Sequence, residues 1–296
     1  MKNSEYIIKP LKDKICLITG ATDGIGKATA FLFAEKGAIL ILVGRNLEKG
    51  KKTVSDIIQK TNNSRIEYMQ ADLSIQANII DLVEGFNAKY DHLDILVNNV
   101  GGYFSERIET SDGIELTFAL NYLCPFLLTN LLLNSLKSCQ HARIINLTSS
   151  AHRYGKINFD DLHLKHKYFG LHAYQQSKLA IVLFTKYLAK RLHKNNITVN
   201  AIHPGIVKTN IAQQHHGIQE KAFSLLKNTI AISSEKAAKY IAHLAVSENL
   251  SSISGEYFIK RKIRKASKKS NDEKIAEKLW KLSLSLIDLN SKYDLN

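Results

Sequence analysis

A tyrosine and a lysine four residues apart, Tyr174 and Lys178, are the side chains best suited to move a proton. Residues i and i+4 share one face of a helix, so the phenol and the ammonium would lie side by side. A phenol with its ordinary pKa of about 10 is a weak acid at neutral pH, and a neighbouring ammonium lowers that pKa by favouring the phenolate. Among the 12 tyrosines, only Tyr174 has a lysine at this spacing. We therefore predict that Tyr174 transfers a proton to or from a substrate oxygen, the alternative being a surface pair without a chemical role.

A glycine-rich turn is the second chemical feature, because backbone N–H groups at glycines can closely approach a phosphate. The turn reads Thr19-Gly20-Ala21-Thr22-Asp23-Gly24-Ile25-Gly26 and lies between a predicted strand and a predicted helix. The positive N-terminal end of that helix would face the pyrophosphate of a dinucleotide. An ordinary strand–helix turn is the alternative. We predict that the cofactor is bound here by Gly20, Thr22, Asp23, Gly24, Ile25 and Gly26.

The end of the second predicted strand indicates which dinucleotide binds. A carboxylate there typically holds the ribose of NAD, whereas an arginine accommodates the 2′-phosphate of NADP. This strand ends at Val43-Gly44 and is followed by Arg45 and Asn46, with no acid at its tip. Asp23 argues weakly for the opposite preference, unless it points away or caps the helix. The sequence predicts NADP(H), with Arg45 and Asn46 in the cofactor site.

The elements that must position these residues alternate between short apolar runs and longer amphipathic segments. Such alternation predicts parallel strands joined by helices, with the ligand at the carboxyl ends of the strands. The predicted strands are Lys14–Thr19, Ile39–Gly44, Ile66–Gln70, Ile95–Asn98, Arg143–Thr148, Thr198–His203 and Glu256–Ile259. The predicted helices are Gly26–Lys36, Leu47–Lys60, Ala77–Lys89, Gly113–Lys137, Tyr174–Lys194, Ser234–Val246 and Asp272–Leu289. The fold class is therefore α/β, a Rossmann-type doubly wound parallel sheet of about seven strands with helices on both faces.

The Gly-x-x-x-Gly-x-Gly spacing, combined with Tyr174-x-x-x-Lys178, resembles the classical short-chain dehydrogenase/reductase family. The resemblance extends from about Lys14 to Leu289 and is closest to the retinol dehydrogenase-like group. Four stretches carry that likeness: Asn121-Tyr122-Leu123-Cys124-Pro125-Phe126-Leu127-Leu128-Thr129, Ser149-Ser150-Ala151-His152, His203-Pro204-Gly205 and Ala276-Glu277-Lys278-Leu279-Trp280.

This resemblance implies further site residues. Ser149 would hydrogen-bond the substrate oxygen, with Ser150 as the alternative, and Asn121 would support a proton-relay water unless it is a buried structural asparagine. The catalytic set is then Asn121, Ser149, Tyr174 and Lys178, with Lys178 also holding the nicotinamide ribose. Cofactor contacts implied by the resemblance are Asp72, Leu73, Asn99, Gly101, Tyr174, Lys178, Pro204, Gly205, Val207 and Thr209.

Composition and charge limit the domain organisation. The chain has 296 residues, only 3 prolines and a net charge of +14. We predict an N-terminal extension over residues 1–13, one domain over 14–259 with an apolar substrate lid near 210–232, and a basic segment with a C-terminal helix over 260–296. Seven of the ten residues from Lys260 to Lys269 are Lys or Arg, which is typical of a solvated surface segment. No signal peptide and no membrane-spanning helix are expected, so we predict a cytoplasmic protein, or one held peripherally on an intracellular membrane.

The predicted function is an NADP(H)-dependent oxidoreductase that interconverts an alcohol and a carbonyl, and the expected reaction is reduction of an apolar aldehyde or ketone like retinal, a steroid or a lipid aldehyde. A non-catalytic NADP(H) sensor with a basic tail on an anionic partner is the alternative. By resemblance a homodimer or homotetramer would form through the helices that hold Asn121 and Tyr174. A weak contact between Lys260–Lys269 and an acidic membrane is a further predicted alternative, and nucleic acid is disfavoured as a partner. His152, His163, His166 and His172 show no clean metal-ligand spacing, so no metal is predicted.

Overall fold

A computed structural model of the protein describes residues 10–207 and 231–287. Their strands are Ile15–Thr19 (β1), Ile39–Gly44 (β2), Ile66–Gln70 (β3), Ile95–Asn98 (β4), Ala142–Leu147 (β5), Ile197–His203 (β6), Tyr257–Ile259 (β7) and Lys262–Ile263 (β8). They form one sheet in the order β3-β2-β1-β4-β5-β6-β7-β8. Every pairing is parallel except that of β7 with β8. The predicted doubly wound sheet is confirmed, with one strand more than expected because part of the basic segment pairs as β8.

Helices cover both faces of this sheet. They are Gly24–Glu35 (α1), Leu47–Thr61 (α2), Gln76–Asn87 (α3), Leu116–Phe118 (α4), Cys124–Leu131 (α5), Leu133–Lys137 (α6), Gly170–Arg191 (α7), Ser234–Val246 (α8) and Glu273–Ser285 (α9). One apolar layer joins the sheet to α1, α2 and α8, and the other joins it to α3, α5, α7 and α9. All five residues of β1 and all four of β4 are buried, as expected for strands covered on both sides. Among the described residues, no helix is both long and apolar enough to span a membrane.

The chain order places a crevice between two central strands. From β1 the chain builds outward through β2 and β3, and it then returns to place β4 on the other side of β1. The connections after β1 and β4 therefore diverge at the carboxyl ends of these strands, where doubly wound sheets bind their ligands. Both the glycine-rich turn and Asn99 follow these two strand ends.

The predicted helix over Gly113–Lys137 is interrupted by one turn of π-helix, Ala119–Leu123, in which the Cys124 N–H bonds to the Ala119 carbonyl. Pro125 has no N–H to donate to the carbonyl of Asn121 four residues earlier, which disfavours a regular α-helix here. Such π-turns are frequent at functional sites. The expected single helix was therefore wrong in its continuity, and the break lies at a predicted catalytic residue.

Residues beyond both predicted ends of the domain pack into its apolar layers, Leu11 into one layer and Trp280 into the other. Leu11 is 3% exposed, and its N–H bonds to the Lys36 carbonyl at 2.8 Å. At the other end, Trp280 of α9 packs on Phe126 and Phe184, with ring centroids 4.8 and 6.1 Å away. The predicted boundaries at residues 13 and 259 thus separate segments that pack together. α9 therefore covers part of α5 and α7.

Candidate active site

The glycine-rich turn makes a close contact between its two ends. Gly20 and Gly24 have φ values of +64° and +53°, in the region that disfavours side chains. A Cβ added to Gly26 would lie 2.2 Å from the Gly20 carbonyl oxygen. The Asp23 carboxylate accepts a hydrogen bond from the Gly24 N–H at 2.7 Å and caps α1. The backbone can therefore approach a phosphate here, and Asp23 takes the capping role that was one of its predicted alternatives.

Asn99 holds this turn from the neighbouring strand end. Its side-chain amide donates to the carbonyl oxygens of Thr19 and Gly20, at 2.8 and 3.1 Å. The Thr19 hydroxyl in turn accepts from the N–H groups of Asn99 and Val100, each at 3.0 Å. The amide nitrogen of Asn99 thus holds the turn in place, while Gly101 lies close to the predicted catalytic residues Asn121 and Lys178.

A cleft of about 710 Å³ opens beyond the end of β2 and β3, and Arg45, Asn46 and Asp72 line it. Arg45 is exposed, and its backbone carbonyl is held by the Gln70 side chain at 3.0 Å. The Asn46 side chain caps α2 through the Lys49 N–H at 2.8 Å, and Asp72 accepts from the N–H and hydroxyl of Ser74. Leu73 is buried at 3% exposure, beneath this surface. The arrangement leaves the Arg45 guanidinium as the accessible cation for a phosphate.

The predicted proton-transfer group meets the predicted serine. Ser149 follows β5, and its hydroxyl lies near the phenol of Tyr174, which is in the second turn of α7. Lys178 is buried one turn later, with its Nζ 5.5 Å from the centre of the Tyr174 ring and 3.4 Å from the Leu147 carbonyl oxygen. Ser150, the alternative serine, is exposed at the start of a 3-10 helix, Ser150–Tyr154. The structure therefore brings Ser149, Tyr174 and Lys178 together at one strand end.

Burial acts in opposite directions on the two titrating groups. It raises the pKa of Tyr174, and the nearby Ser149 hydroxyl offsets part of that rise. It lowers the pKa of Lys178 to about 8, because an ammonium loses solvation inside the protein. For these side chains by themselves the Tyr174 pKa is therefore raised overall and not lowered as expected, since desolvation of the phenolate dominates.

A family model described as short chain dehydrogenase matches residues 14–218. The chain belongs to the short chain dehydrogenase family. It is 40% identical to retinol dehydrogenase 13 of Homo sapiens over 284 residues, covering 94% of this chain and 86% of the relative. It is 34% identical to polyprenol dehydrogenase of Homo sapiens over 288 residues, covering 95% and 87%.

A solved structure, the Pseudomonas aeruginosa RhlG/NADP active-site complex, superposes with a TM-score of 0.69 and 26% identity. The match covers 84% of this chain and 95% of that chain. Together with the retinol dehydrogenases, it confirms the predicted likeness and shows that this short-chain dehydrogenase is an oxidoreductase.

Asn121 occupies the π-turn and is almost fully buried at 1% exposure. Its side chain makes two hydrogen bonds to the Gly102 backbone: it accepts from the N–H at 2.7 Å and donates to the carbonyl oxygen at 2.9 Å. It also donates to the Ser177 hydroxyl at 2.9 Å. A Cβ on Gly101 would lie 2.6 Å from the Asn121 Oδ1 and 3.5 Å from the Lys178 Nζ, so these three residues are neighbours.

The loop after β6 completes the described part of the site in this short-chain dehydrogenase. Pro204 is buried, Gly205 has a φ of +111°, and Val207 forms a β-bridge with Ile232. Burial lowers the pKa of His203 to about 4, so this strand-end histidine is neutral at physiological pH. Thr209 and most of the predicted lid near 210–232 lie outside the described residues.

Some contributors to this site were missed by the sequence reasoning. Gly102 and Ser177 hold Asn121, Thr19 anchors Asn99, and the Tyr103 ring lies 5.9 Å from the Tyr174 ring. Three of them are next to a predicted residue in the sequence, and Tyr103 is two positions from Gly101. Closeness in the sequence is therefore the signal that could have found them. Among the described residues, no group of three or more His, Cys, Asp or Glu side chains could hold a metal ion.

Proposed function

We propose that this chain interconverts an alcohol and a carbonyl with NADP(H), and that it reduces an apolar aldehyde or ketone. The observation that carries the proposal is the meeting of the Ser149 hydroxyl and the Tyr174 phenol beside Lys178, which is buried with its Nζ 5.5 Å from the Tyr174 ring centre. A protein that only sensed the dinucleotide would have no use for this set, so the non-catalytic alternative is disfavoured. The pair provides two hydroxyl groups that can act on one substrate oxygen.

The residues present fit a dinucleotide. The positive φ values at Gly20 and Gly24 and the tight packing at Gly26 bring the N-terminus of α1 against the end of β1, where helix N–H groups can face a pyrophosphate. Arg45, exposed in the cleft beyond β2, supplies a planar cation suited to a 2′-phosphate. The likeness to a solved NADP complex at 26% identity supports NADP(H) over NAD(H). When bound, the dinucleotide supplies or accepts the hydride.

In the direction of reduction, Ser149 and Tyr174 each donate a hydrogen bond to the carbonyl oxygen and so polarise the bond. As charge develops on that oxygen, Tyr174 gives it the phenolic proton. Lys178, with its pKa of about 8, carries positive charge through neutral pH and stabilises the phenolate that remains. Asn121 keeps the loop at Gly102 in place and, through Ser177, the first half of α7 that carries Tyr174.

An apolar substrate is supported by the side chains around this site. Phe169 and Leu171, which flank the first residue of α7, are 56% and 48% exposed, and Ile206 in the loop after β6 is 43% exposed. The Tyr103 ring lies against Tyr174. Such exposed apolar side chains can contact an apolar ligand. The relatives are named for retinol and polyprenol, both long apolar alcohols, which favours the same substrate class.

The test is NADPH consumption by the purified protein with aldehydes and ketones, from short alkyl compounds to retinal and a steroid, with small polar sugars as counter-examples. Tyr174→Phe removes the proton donor, and we expect it to lower kcat by about 10²- to 10⁴-fold while leaving NADPH binding nearly unchanged. Tyr154→Phe is the matched control, because that hydroxyl belongs to a side chain that is 75% exposed. Substantial turnover by Tyr174→Phe, or equal rates on sugars, would contradict the proposal.

A further inference from the structure

A buried histidine links the catalytic serine to the basic C-terminal segment. His152 lies in the 3-10 helix after Ser149 and is 0% exposed. Its Nδ1 is 2.7 Å from the Ser149 carbonyl oxygen, and its Nε2 is 3.2 Å from the N–H nitrogen of Ser267. A carbonyl can only accept and an amide N–H can only donate, so Nδ1 must carry the proton and Nε2 must be bare. The two backbone partners thus fix one neutral tautomer.

The bond at Nδ1 bears directly on the catalytic side chain. The Ser149 carbonyl accepts from two N–H groups of the same residue, the His152 backbone at 3.2 Å and the His152 ring at 2.7 Å. Ser149 is held in an extended conformation, with φ −142° and ψ 158°. Because ψ sets the direction of the carbonyl, fixing that oxygen also fixes the backbone from which the hydroxyl reaches Tyr174.

The bond at Nε2 fastens the serine loop to residues 260–269, and two further contacts run in parallel. The Arg153 guanidinium donates to the Lys265 carbonyl oxygen at 2.6 Å, and the Lys269 ammonium donates to the Gly155 carbonyl oxygen at 3.0 Å. Ser267 itself is buried at 9% exposure, although the stretch around it is mostly exposed. The segment therefore touches the loop at three successive points, with His152 as the buried one.

We propose that His152 is a positioning residue for Ser149 and that the basic segment, through Ser267, is the brace that holds it. This inference deepens the proposed carbonyl reduction and rests on it for its kinetic test. The role is separate from proton transfer, since both ring nitrogens of His152 are engaged by backbone groups. It also assigns a structural function to a segment that its charge alone would mark as solvated surface.

Three substitutions of His152 separate the effects of its two hydrogen bonds. In His152→Asn the side-chain amide nitrogen lies near the position of Nδ1 and can still donate to the Ser149 carbonyl. In His152→Gln the amide oxygen reaches toward the position of Nε2 and can accept from Ser267, and His152→Leu removes both bonds. We expect Leu to lower kcat by roughly 10- to 100-fold, with the dissociation constant of NADPH changed by less than about twofold. Asn should recover most of kcat, and Gln should recover thermal stability more than kcat.

Parallel loss of kcat, NADPH affinity and thermal stability in all three variants would overturn the positioning role, as would wild-type kcat in the Leu variant. A second measurement does not depend on activity. Nitrogen NMR of the full chain with ¹⁵N-labelled histidine, with His152 assigned by the signal lost in His152→Gln, should show a proton on Nδ1 and a bare Nε2. A proton on Nε2 would overturn the inference. If the wild type turns over no carbonyl but shows this tautomer, the proposed function fails while the brace stands.

Discussion

Replacing Gly26 with alanine is the sharpest test of the glycine-rich turn. The new Cβ would lie 2.2 Å from the Gly20 carbonyl oxygen and 2.5 Å from the Asn99 amide nitrogen, whereas real Cβ contacts stay beyond 3.0 Å. The turn and α1 must therefore separate by about 0.8 Å, and the nearest atom is backbone, which cannot swing aside as a flexible side chain can. Overpacking of this kind costs roughly 1–3 kcal/mol, against a helix-propensity gain of at most about 1 kcal/mol.

The same shift moves the N–H groups that would bind the pyrophosphate. Losing one hydrogen bond to a charged group costs about 1.5–3 kcal/mol, so we expect NADPH to bind about 10- to 100-fold more weakly. Gly85→Ala is the matched control, because it makes the same chemical change within α3, where the nearest atom is the flexible Met69 Cε at 3.0 Å. That variant should be as stable as the wild type or slightly more stable, with NADPH binding unchanged.

The assay is urea denaturation of both variants together with fluorescence titration of NADPH. A fall in the free energy of unfolding and in NADPH affinity only for Gly26→Ala would support the close approach between Gly20 and α1. If the two variants behave alike, the inferred contact does not limit the turn and the reasoning is refuted.

Three further changes test the charges and the core. Lys178→Met should raise the melting temperature at pH 7 while abolishing turnover. Burial lowers the Lys178 pKa to about 8 from 10.5, so the buried charge destabilises the folded state fully below pH 8. This destabilisation fades as the pH rises towards 10.5. Melting curves across this range check that sign, and a gain that grows with pH would contradict it. Trp280→Ala, which empties a site among Phe126 and Phe184, should lower the free energy of unfolding by about 3–5 kcal/mol in urea; a loss under about 1 kcal/mol would mean that α9 adds little. Arg45→Ala should weaken NADPH by about 10- to 100-fold and leave NADH unchanged in titrations, and an equal loss for both would reject Arg45 as the selector.

The sequence predicted those parts of the site that depend on local order. Gly20, Gly24 and Gly26 lie within one turn, and Tyr174 and Lys178 within one helix, so their spacing alone determines which groups are neighbours. The ends of the strands could be predicted for a related reason, because buried parallel strands appear in the sequence as continuous apolar runs such as Ile39–Val43. Ser149 could be placed beside Tyr174 only by family resemblance, since no local pattern joins residues on different elements.

Features that depend on contacts across the fold could not be predicted in this way. Pro125 signals a break within Gly113–Lys137, but it does not reveal that Asn121 bonds to Gly102 and Ser177 or that the helix opens into a π-turn. Residues 260–269 were likewise interpreted as a solvated surface segment because most of them are charged. A serine at position 267 carries no sequence signal that its N–H will meet a buried histidine 115 residues away.

The opposite pKa shifts of Tyr174 and Lys178 bear on the direction of the reaction. A raised phenol pKa keeps Tyr174 protonated at neutral pH, and a protonated phenol is what a proton donor must be when a carbonyl is reduced. Oxidation of an alcohol needs the phenolate instead, which burial disfavours and which Lys178 can stabilise only while it holds its own proton, at pH values up to about 8. Under the proposed function, these shifts would favour the protonated phenol that reduction needs, whereas oxidation would begin from the less stable phenolate. This asymmetry follows from burying both groups together, whichever carbonyl the site accepts.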